Sequence, residues 1–450
     1  MKRMPTVIIS IVLSISMCGC SSSKTKTTAA KTTTVNSTIS SQTSAADSSL
    51  ESEATEKVNN HSISKLVLGF RNTALIDNEG KLYVWGRNDY HQSGVKHLIG
   101  NVTQPNLLIS NKTIDVDFGI THSAAVLENG SLLVWGSNYN KQMPGKEKYD
   151  SSAYDTPVRV MGDVKDVSLS SNSTAVIMNN GDLYVYGECA RRYNFEKGFV
   201  MGKVKRVVLT DEKCAIITES DELYFFGDNK SGCFGLGDYE EHSTPKKSSI
   251  GNVKDVIFGY YGVLGRYNCS IVLTNDGDVY TLGGDTKDDG KKSKPQKIMS
   301  NVASVCNTLD CLGLLTNNGD FYTAGSKSTD NLNGFADQNV ELRLLLKNIK
   351  QVDACNYKFM ALNDSGELMY WGATEFDVTG DALFYKESAL KTPTKIADNV
   401  DYFVMGYSSN AYVDKDGSLY MWGNNNGGNL GNGTETNQNK PVKITIPESY

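Results

Sequence analysis

The chain has 450 residues, 39% of them apolar and 21% charged, with a formal net charge of −6. That length admits two or three ordinary domains or one large repeat architecture. The acidic balance argues against a general nucleic-acid binder, whose affinity would come from neutralising phosphates.

The chain opens MKRMPTVIISIVLSISMCGC, with Lys2 and Arg3 as a positive n-region. Val7 to Met17 is an apolar h-region of signal length, too short to span a bilayer. The Gly19-Cys20 pair behind it resembles the lipobox of bacterial lipoproteins. It predicts a leader over residues 1–19, cleaved to leave Cys20 as the lipid-carrying N-terminus. Bulky Met17 disfavours Cys18; a plain secretory signal or an uncleaved anchor is the alternative. Loss of Lys2 and Arg3 with the leader takes the formal charge to −8. Residues 20–62 read as a disordered tether. Ser and Thr fill 19 of the 40 positions from 21 to 60, so little apolar surface is available to offset ordering entropy. As a flexible coil the tether spans roughly 35 Å. Seven cysteines follow, Cys189, Cys214, Cys233, Cys269, Cys306, Cys311 and Cys355, with no CxxC among them. They read as small core residues, with a Cys306–Cys311 bridge left open.

From residue 63 onward the chain repeats. Trp85, Trp135, Tyr186, Phe226, Leu282, Ala324, Trp371 and Trp422 are each followed by Gly, at spacings of 40 to 56 residues. Five positions earlier, Gly stands in seven of the eight units, Asp221 being the exception. Three positions earlier every residue is apolar, from Leu82 to Leu419. Gly at a hairpin supplies positive φ. Runs such as LYVW suit a half-buried pleated surface. Stretches such as DVKDVSLS (163–170) and NVKDVIFG (252–259) predict a first strand, and TALID a second. A fourth strand begins at Pro105, Pro157, Pro245, Pro295, Pro393 and Pro441, where an outer edge loses no ladder bond. Four short strands per unit with no helix-period segment predict an all-β propeller of four-stranded antiparallel blades over residues 63–450. Because the first unit begins without a Pro-led strand and the last ends with one, the C-terminal strand is expected to complete the first blade and close the ring.

GITHSAAVLENGSLLVWGSN (119–138), FGDNKSGCFGLGD (226–238) and GSLYMWGNNNGGNLGNG (417–433) are similar to RCC1-type repeats, named for the regulator of chromosome condensation. The resemblance spans about residues 64–446 and fades in the fifth and sixth units. It implies a propeller, seven-bladed by family norm where eight units are counted here. It also implies a protein-binding scaffold, since the family includes a nuclear guanine-nucleotide exchange factor and a secreted bacterial inhibitor of β-lactamases. Exchange activity is not expected of an exported chain that lacks an exchange wedge.

Little else suggests chemistry. His61, His91, His97, His122 and His242 form no metal-ligand spacing, and His122 occupies a repeat position. The Gly/Asn run after Trp422 lacks the GK[ST] ending of a phosphate loop and opens no helix. Asp285 to Gly290 resembles part of a calcium loop without its alternation or terminal Glu. The Asp, Asn and Glu residues at 77–79, 127–129, 317–318, 364 and 414–416 precede the repeat Gly and read as turn residues. No metal or cofactor is expected. Aromatics outside the repeat pattern are the binding candidates: Tyr139, Tyr193, Tyr260, Tyr261, Tyr267 and Phe376, with Tyr90 and Phe195 among further loop aromatics. Trp85, Trp135, Trp371 and Trp422 are structural anchors. The expectation is a monomeric, non-catalytic scaffold, lipid-anchored to the outer face of the bacterial membrane. It would present inter-blade loops to an extracellular protein or cell-wall glycan. The alternatives are a polysaccharide-acting enzyme with carboxylates converging at the axial mouth, or an inhibitor of a β-lactamase-like wall enzyme.

Overall fold

The computed structural model describes residues 63–96, 100–145, 153–195, 198–259, 269–283, 294–308, 311–325, 342–355, 358–372 and 390–447. They form eight four-stranded antiparallel sheets, each from four strands consecutive in sequence. The first strand of each sheet is innermost. First strands of neighbouring blades lie against one another, including Ile63–Leu68 of the first blade against Val400–Met405 of the last. The ring is therefore an eight-bladed propeller, one blade for each unit of the repeat.

Local chemistry sets these elements. At the hairpin before each third strand the repeat Gly takes positive φ, 83° at Gly80 and 84° at Gly417. Asp221, the one exception, also sits in the left-handed region at 58°. Asp414 Oδ1 accepts the N–H groups of Asp416 and Ser418 at 3.0 and 2.8 Å, which makes it a turn residue. The Gly after the anchor is needed for close approach. A Cβ on Gly423, at φ 121°, would lie 2.6 Å from the Ser408 carbonyl oxygen. Blade-to-blade connections use Asn252, Asn301, Asn348 and Asn399 at φ between 54° and 63°, where Asn is tolerated. The prolines lie on the outer strands, as in Val102–Ile109 and Gln438–Ile444, or just before one, as Pro295 does.

The core lies between blades. Trp85, Trp135 and Trp371 are fully buried and Trp422 nearly so, as anchors should be. Leu282 and Ala324, which replace Trp in units five and six, are buried as well. All seven described cysteines are buried and none is in a disulfide, so the Cys306–Cys311 bridge does not form. Burial raises the Cys306 thiol well above its ordinary range.

Two expectations are corrected. The C-terminal strand Gln438–Ile444 pairs with Leu419–Gly423 of its own blade, and the first blade carries its own outer strand, Val102–Ile109. Each Pro-led strand hydrogen-bonds back to the anchor-bearing third strand before it, so the first unit lacks nothing. The C-terminal unit still closes the ring, through its loop and its core. The Asn429 carbonyl accepts Thr73 Oγ1 at 2.8 Å and Trp85 Nε1 at 3.0 Å. Gly433 N–H donates to the Thr103 carbonyl at 2.8 Å. Leu430, Met421 and Ile444 pack with Leu66, Leu75 and Trp85 in one cluster. The second correction is a six-residue helix, Glu188–Tyr193, in a chain expected to have none.

Candidate binding face

Antiparallel order puts the first-to-second and third-to-fourth connections of every blade on one face, called here the loop face. The hairpins and blade-to-blade connections lie on the other. The third-to-fourth loops of blades one, two, four and eight are folded around a buried Asn. Asn88, Asn138, Asn229 and Asn425 each accept, through Oδ1, a backbone N–H five residues on, at 3.1, 2.9, 2.9 and 2.9 Å. In the Gly/Asn run after Trp422 the amides are already engaged. Gly428 donates to Asn425, Gly431 to Gly428 and Gly433 to Thr103. A phosphate cradle needs those amides free, so this stretch is a ring-closing loop.

Tyr139 stands at the tip of the second such loop, 79% exposed. Tyr193 is 6% exposed. Its ring meets Phe226 edge-on at 5.8 Å, and its hydroxyl donates to the Glu212 carbonyl at 2.8 Å. Tyr193 is therefore withdrawn as a binding residue: the short helix turns it into the core of the next blade, where Phe195 also packs on Phe226. Tyr260, Tyr261, Tyr267, Phe376 and Cys20 lie outside the described residues, as do Asp285 to Gly290. Tyr260, Tyr261 and Tyr267 fall between Val253–Phe258 and Ser270–Thr274, whose facing ends are at the loop face.

A second group, half-buried at the seam of the last and first blades, was not identified from the sequence. Phe70 and Arg71 follow Gly69 in the first-to-second loop of blade one, and Tyr407 follows Gly406 in that of blade eight. The Phe70 and Tyr407 rings lie 5.1 Å apart, and the Arg71 guanidinium carbon is 5.5 Å from the Phe70 centroid. Arg87 covers Tyr90, itself 45% exposed, at 5.5 Å and pairs with Asp89 at 2.6 Å. Desolvation and then the neighbouring Arg87 charge lower the Arg71 pKa. The available signal was the repeat Gly of the first-to-second loop followed by a bulky residue the repeat does not require.

On the inner strands the carboxylates do converge. Lys65, Asp115 and Asp166 occupy equivalent positions in blades one to three, with Asp117 two residues beyond Asp115. Lys65 pairs with Asp115. Burial, then the hydrogen bond and charge of Asp115, push Asp166 up to about 8. Burial pushes Asp117 up to about 7, although the Leu169 and Phe118 amides favour its anion. Burial opposes the charge on Lys65, but Asp115, Asp117 and Asp166 outweigh it and raise its pKa. Arg206 and Asp255 repeat the blade-to-blade pairing at 2.9 Å in blades four and five. These contacts tie successive inner strands together. Among the described residues no group of three His, Cys, Asp or Glu side chains is arranged to hold a metal ion. His122 is buried against Thr174 Oγ1 at 3.0 Å, and desolvation lowers its pKa to about 3, so it stays neutral.

Two models of the regulator of chromosome condensation (RCC1) repeat match the chain, one at residues 79–126 and 416–450 and the other at 63–92 and 114–142. An RCC1 repeat-containing protein of Dictyostelium discoideum is 27% identical over 31% of this chain and 32% of its own length. The ultraviolet-B receptor of Arabidopsis thaliana is 32% identical over 21% of this chain and 22% of its own. The matched stretches thus span a third or less of these relatives. Among solved structures, Prp20p of Saccharomyces cerevisiae, described with its binding to Gsp1p and histones, superposes with a TM-score of 0.52. It is 16% identical, over 81% of this chain and 86% of that one.

Proposed function

The chain is an RCC1-repeat β-propeller, and from that premise we propose that it is a surface-anchored, non-catalytic scaffold whose loop face docks a protein partner. The observation that carries this reading is the placing on one face of aromatic side chains outside the repeat pattern: the exposed Tyr139 and Tyr90 and the half-buried pair Phe70 and Tyr407. Tyr and Phe give large contact area at low entropy cost. Prp20p, a propeller of similar fold, binds proteins. Attachment through Cys20 would present the scaffold outside the cell.

Crosslinking on whole cells with mass spectrometry of captured proteins is the test. A defined partner is expected, and its capture should fall several-fold with Tyr90→Ala and Tyr139→Ala combined. Failure to recover any partner, together with measurable turnover of a glycan, would sink the reading. It would favour the enzyme that the converging Asp115, Asp117 and Asp166 suggest. Membrane association should be lost on Cys20→Ala, and its persistence would refute lipid attachment.

A further inference from the structure

Arg71 lies on the loop face at the seam between blades eight and one. Its guanidinium stacks on Phe70 and makes no hydrogen bond or ion pair among the described residues. Arg87 beside it is already paired, its Nε and Nη2 donating to Asp89 Oδ2 at 2.7 and 2.6 Å. The two arginine stems are held in place. Gly427 of the ring-closing loop packs so tightly that a Cβ there would lie 3.3 Å from Arg87 Cβ and 3.4 Å from Arg71 Cβ. The backbone adds a clamp, since Arg87 N–H donates to the Arg71 carbonyl at 2.8 Å. A guanidinium fixed by stacking, with its donors unused, is pre-organised for a planar anion.

The local charge selects the anion. Arg71, Arg87 and Asp89 together leave a single positive charge. One carboxylate neutralises it, whereas a phosphate dianion would over-compensate and face Asp89. Phe70, Tyr407 and Tyr90 wall the position with aromatic surface. We propose that Arg71 is a carboxylate-binding subsite, taking an aspartate or glutamate side chain of the protein partner between the aromatic rings at the blade-eight to blade-one seam. The proposal rests on the loop face being the docking face. It adds the chemistry of the partner: an acidic residue flanked by apolar ones.

The test uses the immobilised full chain and a displayed library of linear peptides, with counter-selection on Arg71→Gln. Arg71→Gln should keep close to the parent thermal midpoint, because the one side-chain contact it removes is the half-buried stack on Phe70 at the loop face. Peptides dependent on Arg71 should carry Asp or Glu beside apolar residues. A synthetic peptide of that kind should weaken about tenfold or more when its acid becomes the amide, and by a similar factor on Arg71→Gln. Arg71→Lys, which keeps the charge but loses the planar fork, should retain intermediate affinity. Acetate should compete better than inorganic phosphate at matched ionic strength. Arg71-dependent peptides without an acid, or competition by phosphate equal to or stronger than that of acetate, would overturn the assignment. Peptides that bind while ignoring Arg71 would also overturn it, yet leave the docking face standing. No bound peptide together with no crosslinked partner would remove both.

Discussion

Asp166 illustrates how one side chain can set a property of the whole ring. Its pKa is raised by burial and by Asp115, so the folded state holds a proton that the unfolded chain releases near its ordinary value. The stability this contributes is fully present at acid pH and is lost as pH rises through about 8. Asp117 and Asp353, each raised by burial to about 7, act in the same direction. The thermal midpoint is therefore expected to fall between pH 6 and pH 8.5. Asp166→Asn, which mimics the protonated acid and can still donate to Asp115, should flatten that fall. The gain at the alkaline end should be on the order of 2 kcal/mol, below the full linkage value because the proton is shared. Midpoints of parent and variant across that range check it; parallel curves would show that Asp166 does not hold the proton.

Among the elements, the loop at 424–437 is held by Asn425 more than by its glycines. Asn425 is fully buried, accepts the Leu430 N–H and donates Nδ2 to the Thr434 carbonyl at 2.8 Å. Asn425→Ala would leave those groups unpaired, at about 2–3 kcal/mol. Hydrogen exchange should accelerate over 424–437 and at Thr73 and Trp85, while blades four and five stay protected. Uniform exchange across all blades would contradict a local role. The repeated constraints were legible in the sequence, because a turn Gly or an anchor Trp must recur in each unit for the same steric reason. Non-periodic features were not. Lys65, Asp115 and Asp166 meet across about fifty residues per step, and the repeat gives no hint of their charges. Tyr193 reads as a surface aromatic because nothing in ECARRY announces a helix that buries it. Phe70 and Arg71 escaped notice because their partner Tyr407 comes from the other end of the chain.

At the scale of the molecule, the ring is held shut by side chains and a loop, with no strand shared between first and last blades. A chain truncated after Gly423 keeps seven complete blades but loses Leu430, Ile444 and the Asn429 carbonyl from the seam. Burial of two such aliphatic side chains alone contributes about 3–6 kcal/mol. That is comparable to the net stability of many domains, so the truncated chain should lose cooperative unfolding in calorimetry. A single sharp transition near the parent midpoint would refute that assignment of the seam.

The position of Ile63 places the start of the innermost strand of blade one away from the loop face. Ile63 and Ile446 both pack against the seam core, at the hairpin side of the ring. Ile63 therefore sits on the side of the ring opposite Tyr139, Arg71 and Tyr407, so a partner seated on the loop face would not meet the strand end at Ile63.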